Sequence, residues 1–153
     1  MEEIRSARPG EAAAVSALAL RSKAHWGYDE AMLEAFRREL TWTEEDIRAG
    51  GFVVADGSDG RLHGFYRLSG RPPAGELGAL FVDPPWIGTG LGGRLLRHAV
   101  AAAREAGFTV LELDADPGAV PFYEHAGFEQ VGTSPSGSVP GRVLPRMRLA
   151  LRG

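Results

Sequence analysis

Residues 77–106 constrain this chain more than any other stretch. Leu77-Gly78-Ala79-Leu80-Phe81-Val82 reads as an apolar strand, and Asp83-Pro84-Pro85 stops it, because proline has no N–H for a ladder and fixes φ. Gly88-Thr89-Gly90-Leu91-Gly92-Gly93 then packs four glycines into six residues. An apolar-periodic helix is predicted from Leu91 to Ala106, with Leu95, Leu96, Ala99, Val100 and Ala103 on one face. Each glycine at such a place costs roughly 0.5–1 kcal/mol of backbone entropy, so the run needs a reason. Bare N–H groups at a helix start, together with the positive end of the helix dipole, suit a phosphate-bearing ligand.

The bulk numbers narrow the classes. The chain has 153 residues, a formal net charge of −3 and no cysteine. A single domain over residues 1–153 with a real core is expected. Mild acidity gives no reason to expect nucleic acid or an anionic membrane as a partner. No apolar run approaches a membrane span, and the N-terminus lacks a basic region followed by an apolar stretch, so a cytoplasmic protein is expected. The missing cysteine removes disulfides, thiolate metal sites and a cysteine nucleophile.

Along the chain, Ile4 to Arg8 reads as a strand. Pro9-Gly10-Glu11 opens a helix carrying Val15, Leu18 and Leu20, with Pro9 near its first position. Ser22 to Tyr28 is expected to break it. Asp29 caps a second helix through Met32, Leu33, Phe36 and Leu40, and Thr43-Glu44-Glu45-Asp46 starts a capped turn ending at Gly50-Gly51. Phe52–Ala55 and Leu62–Leu68 read as an antiparallel hairpin. Gly70–Gly75 is a turn and Glu76–Val82 the next strand. Phe108–Leu113, reached through the long helix, should lie parallel to that strand by a right-handed crossover. A short helix over Ala119–Ala126, a strand over Phe128–Gly132, a loop over Ser134–Gly141 and a last strand over Leu144–Leu151 complete the reading.

Gly88, Gly90 and Gly93 also satisfy the dinucleotide pattern G-x-G-x-x-G, with Glu112 about 20 residues on. The context speaks against that reading: two prolines separate strand from glycines, a meander of antiparallel strands precedes them, and too little chain follows for a doubly wound sheet. A permissive helix start is the plainest alternative.

Ile87-Gly88-Thr89-Gly90-Leu91-Gly92 resembles the phosphate-binding motif of the GNAT family of N-acetyltransferases, (Gln/Arg)-x-x-Gly-x-(Gly/Ala). The resemblance continues through Val82-Asp83-Pro84 and Leu95-Leu96. It returns at Asp116-Pro117-Gly118-Ala119-Val120-Pro121-Phe122-Tyr123-Glu124-His125-Ala126-Gly127-Phe128, which is similar to the family element Asn-x-x-Ala-x-x-(Phe/Leu)-Tyr-x-x-x-Gly-Phe. Ile87 stands where the family has Gln or Arg, Thr89 where a basic residue is frequent, and Asp116 where Asn is usual. The resemblance implies an α/β (α+β) fold, a mixed and mostly antiparallel sheet flanked by helices with a central splayed pair of parallel strands. It implies acetyl-CoA as co-substrate and transfer of its acetyl group to a primary amine by direct attack in a ternary complex.

The resemblance also distributes roles. The main chain of Leu80, Phe81 and Val82 would bond the pantetheine arm, with an N–H near Phe81 or Val82 facing the thioester oxygen. The turn from Ile87 through Gly88, Thr89, Gly90, Leu91, Gly92 and Gly93 to Arg94 would hold the diphosphate, Thr89 offering its hydroxyl. Asp116 and Phe122 belong to the same coenzyme site. Tyr123 matches the family tyrosine near the sulfur, a candidate general acid, against the alternative of an amphipathic core tyrosine. Glu76, eleven residues before Ile87, matches the base of the histone-acetylating members; a solvated carboxylate, with water as the proton path, is the alternative. Asp114 and Asp116 form a second carboxylate pair, structural or substrate-orienting.

His25, Trp26 and Tyr28 lie in the break between the first two helices, which in this family lines the acceptor side; Trp26 as a core plug is the competing reading. Arg142, in the last loop, would anchor an anionic group of the substrate or be a plain surface charge. His63, His98 and His125 have no ligand spacing and are expected to be surface or partly buried, with no metal. A small-molecule or peptide amine is the expected acceptor, and exposed strand edges near the C-terminus favour a homodimer. An acyl-CoA-binding or regulatory module without turnover is the second functional reading.

Overall fold

The structure, a computed structural model, describes residues 2–151. Met1, Arg152 and Gly153, the ends of the single-domain reading, lie outside these. The elements are β1 (Glu3–Ser6), α1 (Ala12–His25), α2 (Glu30–Glu39), α3 (Glu44–Ala49), β2 (Phe52–Asp56), β3 (Leu62–Arg71), β4 (Ala74–Val82), α4 (Leu91–Glu105), β5 (Val110–Asp114), α5 (Val120–His125), β6 (Glu129–Pro135) and β7 (Val143–Ala150). Two short 3-10 turns, Pro84–Trp86 and Pro117–Ala119, precede α4 and α5. The seven strands are ordered β1-β2-β3-β4-β5-β7-β6, antiparallel in the pairs β1–β2, β2–β3, β5–β7 and β6–β7 and parallel at β4–β5. This is the mixed α/β sheet flanked by helices that the sequence leads one to expect.

The chain divides into two compact units, one holding the residues up to Arg67 and Ala79–His98, the other Leu68–Gly78 and the residues from Ala99 on. In the first, β1, β2 and β3 form a meander. Phe52, Val54 and Phe65 of the meander are buried, as are Val15, Leu18 and Ala19 of α1. The Trp42 ring meets Phe52 and Phe65 edge-on, each at 5.6 Å. Asp29 caps α2 by accepting the Met32 N–H, and Thr43 with Asp46 forms a full capping box on α3. In the second unit, β5 buries Leu111 and Leu113 on one side, as Met147 does on β7. Period-two alternation therefore sends Glu112 and Asp114 to the other side of β5.

Several boundaries differ from the sequence expectation. α1 runs on through Ser22–His25, with Ser22 buried, and the break comes at Gly27, whose φ is 81°. Pro9 lies outside α1, which begins at Ala12 without a side-chain cap. β3 extends to Arg71 and β4 begins at Ala74, so Pro72-Pro73 makes the turn rather than the whole of Gly70–Gly75. β6 reaches into the expected loop because Ser134 and Pro135 pair with Leu144 and Val143.

Candidate active site

The glycine turn belongs to the first unit. At the end of β4, Asp83 turns inward and is buried. Its N–H donates to the His63 carbonyl at 2.8 Å, and its carboxylate accepts from Arg21 Nε at 2.8 Å and Nη2 at 3.0 Å. The 3-10 turn follows, its Trp86 ring stacked on the His63 imidazole at 3.5 Å. His63 is buried and held at both ring nitrogens, Nδ1 2.9 Å from Glu2 Oε2 and Nε2 2.9 Å from Asp59 Oδ1. That hydrogen bond is the main reason the Glu2 carboxyl is lowered to about 2. The turn therefore hangs from a braced base.

Gly88 and Gly90 have φ of 86° and 89°, conformations that a side chain disfavours, and a Cβ on either would meet nothing within 4 Å. Their surface is open. Leu91, Gly92 and Gly93 open α4, where a helix has no acceptor of its own for the N–H groups. A row of amides on an uncovered backbone at the positive end of a 15-residue helix fits a diphosphate. Two expected partners point elsewhere. The Thr89 hydroxyl donates to the Trp86 carbonyl at 2.6 Å. Arg94 gives Nη1 to Glu2 Oε1 at 2.7 Å and Nη2 to the Glu2 carbonyl at 3.1 Å.

At the α1–α2 break of the same unit, Trp26 is 63% exposed, so it is not a core plug. His25, the last residue of α1, meets its ring edge-on at 4.9 Å. Tyr28 packs edge-on against Phe36 at 5.0 Å, and the Lys23 ammonium lies 4.6 Å from the Phe36 ring centre and 5.4 Å from that of Tyr28. His25 and Trp26 thus meet each other, whereas the Tyr28 ring packs on Phe36.

The second unit holds Tyr123, Glu76, Asp116, Phe122 and Arg142. Tyr123 sits on α5, buried, its ring edge-on to Phe122 at 5.1 Å and to Phe128 at 5.6 Å. Burial, and then the negative charge of Asp116, push its hydroxyl well above the ordinary phenol range, so the proton stays on at neutral pH. Asp116 caps the 3-10 turn before α5 by accepting the Gly118 N–H at 3.0 Å, and Arg142 Nη2 stands 3.6 Å from its Oδ2. Arg142 is thus an ion-paired residue rather than a lone surface charge.

Glu76 and Glu112 are direct neighbours in the parallel ladder, two like charges that would repel. Arg146 on β7 resolves this. It gives Nη1 to Glu76 Oε2 at 2.7 Å and Nη2 to Glu76 Oε1 at 2.6 Å, reaches Glu112 Oε1 at 2.9 Å, and touches Asp114 Oδ1 at 3.2 Å. Arg148 adds a second cation on Glu112 at 2.7 Å. Asp114 therefore partners Arg146 rather than Asp116. The guanidinium of Arg146 is held more firmly protonated than an ordinary arginine, chiefly by Glu76.

The sequence reading missed the Arg21–Asp83 pair, the Glu2–His63–Asp59 cluster and the Arg146 hub. Their members are 62, 61 and 70 residues apart in the longest pairs, so no local spacing signals them. His98, read as surface or partly buried, has Nδ1 2.7 Å from the buried Tyr66 hydroxyl. No group of three or more His, Asp or Glu fit to hold a metal occurs among the described residues, nor does any helix long and apolar enough to cross a membrane.

A family profile described as the acetyltransferase (GNAT) family matches residues 20–128. This chain belongs to the GNAT family. Among its GNAT relatives is a mycothiol acetyltransferase of Nocardiopsis dassonvillei, 31% identical over 126 residues, which are 74% of this chain and 37% of that protein. The N-alpha-acetyltransferase RimI of Mycobacterium tuberculosis is 36% identical over 103 residues, 64% of this chain and 61% of the relative. The chain thus spans less than two thirds of the length of either. In fold it is similar to the PaiA N-acetyltransferase of Thermoplasma acidophilum, solved with coenzyme A, at a TM-score of 0.79 and 22% identity, covering 98% of this chain and 99% of that one.

Proposed function

We propose that residues 1–153 act as a single acetyltransferase domain that moves the acetyl group of acetyl-CoA to a primary amine. The observation that carries the reading is the open turn at Gly88 and Gly90, with positive φ and no side-chain cover, leading into the first amides of α4. Within the turn from Ile87 to Arg94 the N–H groups of Ile87, Thr89 and Arg94 are given to the Pro84, Trp86 and Gly90 carbonyls. The diphosphate would therefore be taken by those of Gly88 and of Gly90 to Gly93, and such main-chain binding makes the loss of a basic residue at Ile87 tolerable. The main chain of Leu80, Phe81 and Val82 would bond the pantetheine arm, with Asp116 and Phe122 in the same coenzyme site. Acetyl-CoA supplies an activated thioester, so direct attack by the amine needs no acyl-enzyme.

Tyr123 serves in this reading as general acid. Burial keeps the Tyr123 proton on at neutral pH and makes the hydroxyl a weaker acid than a free phenol. It would act by hydrogen-bonding the departing thiolate as the C–S bond breaks, the proton following only as charge builds on sulfur. Glu76 is the candidate base. Both its oxygens already accept from Arg146, so it would act with one remaining lone pair on each oxygen, directly or through water. His25, Trp26 and Tyr28 would meet the acceptor, an exposed aromatic beside a polar ring suiting recognition. Arg142 would serve an anionic acceptor group.

Relatives named for mycothiol and for N-alpha-acetylation both occur, so the test spans several amine classes. Release of free CoA from acetyl-CoA is followed with peptide α-amines, peptidyl-lysine and small-molecule amines, alongside calorimetry of CoA binding. Binding with turnover on one acceptor class supports the enzyme. Binding without turnover on any would favour a regulatory acyl-CoA module, and no binding would remove both.

A further inference from the structure

The glycine turn lacks the cations that a multiply charged anion calls for. Ile87 and Thr89 are uncharged, Thr89 donates its hydroxyl to Trp86, and the Arg94 guanidinium is paired with Glu2. Arg97, one turn further along α4, is different. Side chains on a helix lean toward its N-terminus and lie beside residues three and four positions earlier. Arg97 does so: its Nη1 stands 3.3 Å from the place where a Cβ of Gly93 would be. Glycine at 93 leaves that side of the helix bare, and the guanidinium occupies the space next to the amides of the first turn. Arg97 is exposed, and among the described residues it makes no hydrogen bond and no ion pair.

We propose that Arg97 is a coenzyme-binding residue, a cation folded back over Gly93 that pairs with the diphosphate of CoA and replaces the missing basic residues at 87 and 89. The inference rests on the coenzyme reading above. It assigns to the chain's own sequence a reason for two adjacent glycines: Gly92 and Gly93 let the Arg97 side chain reach the helix end that a larger residue at 93 would screen.

The experiment is calorimetric titration of CoA and of dephospho-CoA into wild type, Arg97→Gln, Arg97→Lys and Arg104→Gln, at low and high salt. Arg97→Gln should weaken CoA about tenfold at low salt, the size of losing one charge-assisted hydrogen bond at an open site, with the gap narrowing at high salt. Arg97→Lys keeps the charge and should lose about threefold or less. Arg104→Gln, in the last turn of α4, should bind as wild type does. The Arg97→Gln loss should be equal for CoA and dephospho-CoA. A loss confined to CoA would place Arg97 on the 3′-phosphate and overturn the assignment, as would equal affinity of Arg97→Gln and wild type. Failure of the wild type itself to bind CoA would instead sink the coenzyme reading. Melting curves of all four proteins should coincide, since Arg97 is exposed and unpaired.

Discussion

Gly90→Ala tests why the turn is made of glycine. Gly90 sits at φ 89°, and the added Cβ would touch nothing within 4 Å. The cost is therefore purely one of backbone conformation, about 1–3 kcal/mol for an L residue held there. Alanine recovers about 0.4–1 kcal/mol by reducing the freedom of the unfolded chain. The net loss is about 1–2 kcal/mol, a fall in Tm of about 2–8 °C for a domain of this size. Gly78→Ala is the internal comparison. Gly78 lies on β4 with no positive φ and nothing within 4 Å, so the unfolded-state term acts alone and Tm should rise by about 1–4 °C. D-alanine at 90, introduced by ligation, adds the same carbon with the opposite handedness and should melt with wild type or above it. CoA affinity measured on the same three proteins should fall for L-alanine and hold for D-alanine, because the path of the amides is what changes. If L- and D-alanine at 90 behaved alike, positive φ would not be the reason for glycine there, and the proposal that this turn binds phosphate would lose its physical basis.

Tyr123→Phe retains the ring contacts with Phe122 and Phe128 and removes the proton. Its kcat should fall about 10²–10⁴-fold with the KM for acetyl-CoA nearly unchanged, read by steady-state CoA release. Trp26→Ala removes an exposed ring, so unfolding in urea should shift by less than about 0.5 kcal/mol, while the KM for the acceptor should rise; an unchanged KM would take Trp26 out of the acceptor site. The Glu2 carboxyl is lowered to about 2 from 4.5, so its contribution to stability is complete above pH 4.5 and lost as pH falls through 2. His63→Phe keeps a ring against Trp86 but breaks the bond to Glu2, so the Tm gap between wild type and variant should narrow between pH 4.5 and 2; a constant gap would show that the pair does not couple to proton binding.

Two of the helix starts are legible locally. Asp29 and the Thr43–Asp46 box declare helix starts through side chains that satisfy amides two or three residues on. The apolar faces of α4 and β5 follow from periodicity alone. The errors arose where composition and packing disagree. Ser22–His25 looks like a linker by residue type, yet it is the last turn of α1, with Ser22 buried, and Gly27 follows the end. Ser134-Pro135 looks like loop but becomes strand because Leu144 and Val143 offer a ladder partner. Local preference yields wherever a distant segment supplies the missing hydrogen bonds.

The candidate site divides along the same line. Glycines, prolines and Tyr123 announce themselves because their chemistry depends on their own backbone or ring. Glu76 shows how little a carboxylate says in isolation. From sequence it is a base candidate at the start of a strand; in the fold it is clamped by an arginine 70 residues away, one that also serves Glu112 and Asp114. A carboxylate so held is fixed in its plane, and three negative charges against one guanidinium leave the cluster net negative even after Arg148 is counted. Such a field favours the charge that builds on an amine nitrogen as it attacks a thioester. Glu76→Gln should therefore slow turnover even if water carries the proton. Loss of a general base in Glu76→Gln should cost kcat about 10²–10⁴-fold, whereas loss of a fixed anion in a part-exposed ion-pair cluster should cost about fivefold or less, so the size of the fall separates a base from a fixed anion.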